Sequence, residues 1–219
     1  MLFYLISSEV DNMEETLKEL LEKQQEQSKK LEQFKKEIQG KVVILYGQAW
    51  IGKSLFVLNL SNLFTFSKLF LIDNNYTEEY FKINPKLQVV RIENPKQLEQ
   101  FILREPSLDD KLVIIDSITT LQTAFIRESY FSPRAYNEFN NFADKVAKRL
   151  SELKPKVTSI LIAHEKISDW EKRIVTPRVN WTMLRNCDVK VRMYYEDGIR
   201  KVRIEQKREV PKNLEWVIE

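Results

Sequence analysis

Apolar and polar positions divide the chain at Gly40. Before it, Asp11 to Gln39 holds neither glycine nor proline. Met13, Leu17, Leu20, Leu31, Phe34 and Ile38 recur there at alternating four- and three-residue spacing. Gln24 and Gln27 fill the two positions between, so the pattern is a heptad seam with a polar centre on one long helix. Asp11 or Asn12 is the expected cap, and Glu14 with Lys18, Glu19 with Lys23 and Glu26 with Lys30 form i,i+4 pairs. The seam either makes a coiled coil between subunits or lies on its own domain. Ahead of it, Met1 to Ile6 (MLFYLI) reads as a short strand at the edge of the chain's own sheet or as a segment docking on a neighbouring subunit.

Gly40 is placed to end the helix as a C′ residue. From Lys41 the pattern changes to short apolar runs separated by amphipathic stretches. Val42 to Tyr46, Lys68 to Asp73, Leu87 to Ile92, Lys111 to Asp116 and Val157 to Ala163 read as buried strands. Helices are expected after Ser54, over Thr77 to Ile83, over Pro95 to Leu103 and over Pro133 to Leu153. The last carries Phe139, Phe142, Val146, Ala147 and Leu150 on one face. Beyond Pro177, Val189, Val191 and Met193 alternate with polar residues, Asp197-Gly198 makes a turn, and Val202 and Ile204 resume the alternation. Trp216 to Ile218 is a candidate last strand. The sum is an α/β fold: a mostly parallel, helix-covered sheet with antiparallel C-terminal strands and a long N-terminal helix. The expected division is 1–40 for the helical segment and 41–219 for the core.

Composition narrows the chemistry. The 219 residues suffice for one substantial core plus an appendage, and 43% hydrophobic with 31% charged residues describes a globular, ion-pair-rich chain. The Lys/Glu-heavy balance fits a heat-adapted source. A net charge of +3 does not by itself argue for nucleic acid. One cysteine, Cys187, excludes an intrachain disulfide, and one histidine, His164, argues against a zinc site. Leu2 to Ile6 is too short to span a membrane and lacks signal-peptide flanks, so the expected setting is the cytoplasm, with no membrane partner.

The chemistry-bearing stretch is KVVILYGQAWIGKSLFVLNL, from Lys41 to Leu60. Gly47, Gln48, Ala49, Trp50, Ile51, Gly52, Lys53 and Ser54 spell G-x-x-x-x-G-K-S between a strand and a helix, which is the P-loop or Walker A pattern. Gly52 lets the backbone curl around phosphate oxygens at a helix N-terminus, Lys53 reaches the β- and γ-phosphates, and the Ser54 hydroxyl suits Mg²⁺. The whole chain has four glycines, so two falling on this motif in this context carry weight. Downstream, Leu112-Val113-Ile114-Ile115-Asp116 has Walker B form: an apolar strand delivers a carboxylate to the sheet edge where Mg²⁺ would be held through water. The implied ligands are ATP and Mg²⁺.

Taken together, GQAWIGKS, KLFLID, LVIIDSITTL, SILIAHEK and the basic ending DVKVRMYYEDGIRKVRIEQKREVP resemble the RecA/RadA recombinase superfamily, which includes the KaiC-like and DnaB-like ATPases. LVIIDSITTL looks most like the strand of archaeal RadA and its paralogues. The resemblance covers about Lys41 to Glu219. It implies a RecA-like P-loop NTPase core. The long helix stands where full RadA recombinases carry a helix-hairpin-helix domain, which favours a paralogue. By resemblance His164 approximates the polar sensor near the γ-phosphate, usually a Gln, and Lys207-Arg208 approximate the basic residues that close a neighbouring subunit's site. The family's water-orienting Glu falls at Asn75 here, and an amide is no general base. Glu78 or Glu79 are the candidate substitutes, with Asp73 a further one. Slow ATP turnover or a binding-only switch is therefore expected. Trp50 stands at a loop position that is often Gly in RadA.

Single-strand-binding loops of the family correspond to Gln122–Tyr136 and Glu165–Asn180. They hold Arg127, Tyr130, Phe131, Arg134 and Tyr136, then Lys166, Trp170, Lys172, Arg173 and Arg178, diluted by Glu128, Glu165, Asp169 and Glu171. The leading expectation is a weak ATPase that binds single-stranded DNA and assists recombinational repair, with a recombinase or a second copy as a partner through the N-terminal helix. The alternative is a KaiC-like nucleotide-dependent signalling or assembly module that acts through a protein, without DNA.

Overall fold

The computed structural model describes residues 2–72, 76, 78–128, 132–169, 171, 173–207 and 214–217. Asp73, Asn75, Tyr130, Phe131, Trp170, Lys172, Arg208 and the side chains of Glu79 and Lys207 lie outside what is described. The chain forms two compact units, Met1–Glu37 and Ile38–Glu219.

The first unit belongs to one helix, α1 (Leu2–Ile38). It runs from Leu2, so the strand expected over Met1 to Ile6 is not formed, and Asp11 and Asn12 lie inside the helix rather than at its cap. The reason is local. No glycine or proline interrupts Leu2 to Gln39, and each residue added to an existing helix gains a hydrogen bond that an unpaired strand lacks. Of the expected ion pairs, Glu26–Lys30 closes at 2.7 Å. Leu20 on the seam and Leu21 beside it are 52% and 57% exposed.

The second unit runs β1 (Val42–Gly47), α2 (Lys53–Ser61), β2 (Phe66–Leu71), α3 (Glu78–Lys82), β3 (Gln88–Arg91), α4 (Pro95–Leu103), β4 (Lys111–Asp116), α5 (Ile118–Glu128), α6 (Pro133–Glu152) and β5 (Val157–Asp169). It continues with β6 (Ile174–Pro177), α7 (Trp181–Asn186), β7 (Val189–Glu196), β8 (Ile199–Lys207) and β9 (Leu214–Val217). The sheet order is β3-β2-β4-β5-β1-β7-β8-β9, with β6 paired to β5 off this path. β3 through β7 in that order are parallel; β8 and β9 are antiparallel. This is the expected architecture, with one refinement. β7 makes the expected hairpin with β8, yet on its other side it pairs parallel with β1.

β1 and β4 are buried along their whole length, as apolar runs covered on both faces must be. Val42, Ile44 and Tyr46 join the core with Phe139, Phe142, Val146 and Leu150 of α6. Ser132 caps α6 by accepting from the Ala135 N–H at 3.2 Å, and Asn94 caps α4 from Gln97 at 3.0 Å ahead of Pro95. Gly40 has φ of +67°, the conformation that a helix-ending glycine supplies.

Two segments expected as loops are largely regular. Residues 122–128 belong to α5 and 133–136 to α6, and α5 presents Ile118, Leu121 and Phe125 to the core at i, i+3, i+7 spacing. In the other segment β5 continues through Asp169 and is met by β6, making a hairpin with a bulge between Ile167 and Asp169.

The sheet ends on a polar clasp. Glu215 of β9 accepts from Tyr194 Oη at 2.7 Å and Arg203 Nε at 2.7 Å, and pairs with Lys201 at 3.0 Å. The Tyr194 hydrogen bond, followed by those from Arg203 and Lys201, lowers the Glu215 carboxyl from 4.5 to about 2. A depressed carboxylate contributes stability that is complete above its unfolded pKa and lost as pH falls through the folded one. The stability gap between wild type and Glu215→Gln is therefore expected to be present at pH 6 and to close between about 4.5 and 2, read from thermal melts across that range. A gap that persists unchanged near pH 2 would rule the clasp out as its source.

Candidate nucleotide site at the C-terminal edge of the sheet

β1 ends at Gly47, opposite His164 of β5 on one side and Met193 of β7 on the other. A Cβ on Gly47 would sit 2.2 Å from the Met193 carbonyl oxygen, so only glycine lets β7 approach here. The chain then turns through Trp50 (φ +64°) and Gly52 (φ +94°) into α2. Gly52 is the residue that caps α2, and its carbonyl accepts the Phe56 N–H at 2.9 Å.

A cleft of about 350 Å³ opens over this turn. Ala49, Trp50, Gly52, Lys53 and Ser54 line it, joined by Asp116 and His164. Of the remaining motif residues, Ile51 is buried in the core, while Gly47 and Gln48 act through their carbonyls. Lys53 Nζ donates to Gly47 O at 3.1 Å and to Gln48 O at 2.5 Å. Burial pushes its ammonium below the usual lysine value, opposed by the carboxylates of Asp116 and Glu165. Ser54 Oγ donates to Asp116 Oδ2 at 2.6 Å, and Tyr76 Oη donates to the same oxygen at 2.5 Å. The two motif stretches, far apart in sequence, thus meet side chain to side chain.

These groups fit a phosphate and a hard cation. Lys53 is a mostly buried cation whose named partners are neutral carbonyls. Ser54 and Asp116 bring a hydroxyl and a carboxylate oxygen together, the donors Mg²⁺ takes alongside phosphate and water. Among the described residues no group of three His, Cys, Asp or Glu could hold a metal by itself. His164 is tied by its backbone: its N–H donates to Thr119 Oγ1 at 3.1 Å and its carbonyl accepts from Arg178 N at 2.7 Å.

The structure leaves some candidates elsewhere. Glu78 begins α3, is exposed and is not part of the cleft lining, whereas Tyr76 and Tyr80 are. Lys207 pairs with Val189 at the opposite end of β7 from Met193, away from its own loop. Tyr76, Tyr80, Ser117, Ile162 and Arg200 are lining residues that sequence reasoning missed. For Tyr76 a signal existed, since it closely follows a strand ending at this edge. For Arg200 none did.

Strand order, with the P-loop pattern between β1 and α2 at the sheet's C-terminal edge, defines the RecA-like class of α/β folds, that of the RecA/RadA recombinases. Within it, the crystal structure of the RadB recombinase superposes with a TM-score of 0.60 at 16% identity, over 82% of this chain and 87% of that one. No family model and no curated protein sequence matches the chain. Among the described residues no helix is long and apolar enough to cross a membrane.

Proposed function

We propose that the chain is an ATP-binding protein of RecA fold, similar to a RadA paralogue, that hydrolyses ATP weakly and assists recombinational DNA repair by binding single-stranded DNA. The observation that carries this reading is the convergence of Lys53, Ser54 and Asp116 on one cleft. Lys53, with the turn from Gly47 to Gly52, would bind the phosphates. Ser54 and Asp116 would hold Mg²⁺, which when bound neutralises phosphate charge. His164, opposite Gly47, would sense the terminal phosphate.

Weak turnover is inferred from Asn75, whose amide cannot be the general base that the family's Glu supplies at that position. Among the described residues, Asp116 alone of the acidic side chains lines the cleft, and it accepts from Ser54 and Tyr76. Glu78 is the candidate base, from the exposed start of α3. Lys207, with Arg208, would serve a neighbouring copy's site. For DNA, Arg127, Arg173 and Arg178 are exposed cations, and Arg134 pairs with Glu138 at 2.8 Å.

The test is ATP affinity and turnover, with and without single-stranded DNA, at low and moderate salt. Wild type should bind ATP, Lys53→Ala should lose at least roughly tenfold in affinity, and DNA should stimulate turnover in a salt-sensitive way. ATP affinity unchanged in Lys53→Ala would sink the reading. A second reading, the KaiC-like module without DNA, draws on the regular structure of both expected DNA loops. It predicts the same Lys53 effect with no response to DNA.

A further inference from the structure

The β7–β8 hairpin turns through Asp197 and Gly198, with φ of +53° and +77°, a two-residue Asp-Gly turn. Tyr195 and Arg200 face each other across it. Because β7 runs parallel to β1, with Met193 opposite Gly47, this turn lies at the same end of the sheet as the P-loop. Arg200 reaches back over that loop. An atom at the Cβ position of Gly52 would stand 3.1 Å from Arg200 Nη1 and 3.3 Å from its Cζ.

The guanidinium is held but not satisfied. It lies 5.8 Å from the Tyr195 ring centre, and its Nη2 donates to Tyr195 Oη at 3.3 Å. Its Nε is buried and has no hydrogen-bond partner. Asp197, the nearest acidic residue in sequence, sits in the turn itself and makes no ion pair with it, and Glu196 is engaged by Lys201 at 2.6 Å. A buried donor left unpaired is costly, and two cations facing a cleft whose one described carboxylate, Asp116, already accepts from Ser54 and Tyr76 favour an added anion. Lys53 is the second of those cations. The planar fork of an arginine matches the oxygens of a phosphate, and a fixed ring beside it holds that fork in place.

We propose that Arg200 is a phosphate-binding residue of the chain's own nucleotide site, delivered in cis by the β7–β8 hairpin, so that a single chain holds the nucleotide without a second copy. The inference rests on the ATP-binding reading above. It also gives Gly52 a second duty: besides its positive φ, its missing side chain leaves room for the guanidinium.

Calorimetric titration decides it, with ATP and with inorganic triphosphate, at concentrations where sedimentation shows single chains. Arg200→Ala is expected to weaken both ligands by roughly tenfold, the loss of a charge-assisted contact to phosphate, and Arg200→Lys to recover part of it. Melting temperature without ligand reports on folding, and the lysine variant stands in if the alanine variant is unstable. Mixing Lys53→Ala with Arg200→Ala chains is expected to restore nothing, since each arginine serves its own loop. Wild-type affinity in Arg200→Ala, a loss confined to ATP and absent for triphosphate, or rescue on mixing would each overturn the cis assignment alone. A wild type that binds neither ligand would overturn the nucleotide reading and this one with it.

Discussion

Gly47→Ala is expected to abolish ATP binding and to lower stability by about 3 kcal/mol, the upper range of overpacking in a well-filled interior. The added methyl would stand 2.2 Å from the Met193 carbonyl oxygen and 3.2 Å from its carbon. Both atoms are backbone, so no side chain can swing aside. Relief requires β7 to move off β1, and the ladder between them spans Val43 to Gly47. Moving Gly47 also moves the carbonyl that receives Lys53 Nζ. Moving β7 carries β8, and Arg200 with it. Urea unfolding and an ATP titration measure the two effects. Gly198→Ala is the comparison: nothing lies within 4 Å of its Cβ, so only the strain of φ +77° acts there, about 1 kcal/mol. Equal, small losses at the two glycines would show that β7 is not packed tightly against the end of β1.

The second large effect lies away from the cleft. Glu105 is 2% exposed and accepts from the ammonium of Lys111, itself 4% exposed, and from Lys68 at 3.0 Å. Its carbonyl also receives Arg149 Nη2 at 2.8 Å. Glu105→Ala would leave the Lys111 ammonium buried without its carboxylate. Removing one partner of a buried pair costs about 3–5 kcal/mol, far more than the pair adds over an apolar substitute. Chemical unfolding of Glu105→Ala, Lys111→Met and the double variant separates these terms. The double variant should recover much of the loss. A double variant as damaged as the sum of the singles would contradict the account.

Lys111 begins β4 and Asp116 ends it, so this ion pair anchors the strand that delivers the cleft's carboxylate. Both strands of the site were readable in the sequence because their signals are local: an unbroken apolar run closed by Gly47 in one case and by Asp116 in the other. Capped helices were readable for the same reason, as Pro95 and Pro133 show. Elements whose existence depends on distant partners were not. ITTLQTAFIRE follows Asp116 and the turn at Ser117, carries three threonines, low in helix propensity, and takes its helical form by burying Ile118, Leu121 and Ile126. Trp181–Asn186 is too short to display a period. The alternation of Val189, Val191 and Met193 shows a strand but not its neighbours, and the parallel pairing with β1 had no mark in the residues. Arg200 was hidden for that reason. An arginine on a charged hairpin reads as a solvated edge until the sheet order puts that hairpin beside the P-loop.

The placement of β1 has a consequence for how the molecule comes into being. Its six residues are numbered 42–47, yet its two neighbours are β5, from Val157, and β7, from Val189. Neither edge of β1 is closed by a strand that directly follows it, so long stretches of chain must be drawn in before either ladder forms, and such pairing is entropically slow. An emerging polypeptide would therefore hold an apolar, unpaired strand in the open for most of its synthesis, a clear client for a holding chaperone. A chain without residues 189–207 would carry every residue of the P-loop and have only half of the strand pairing that sets it in place.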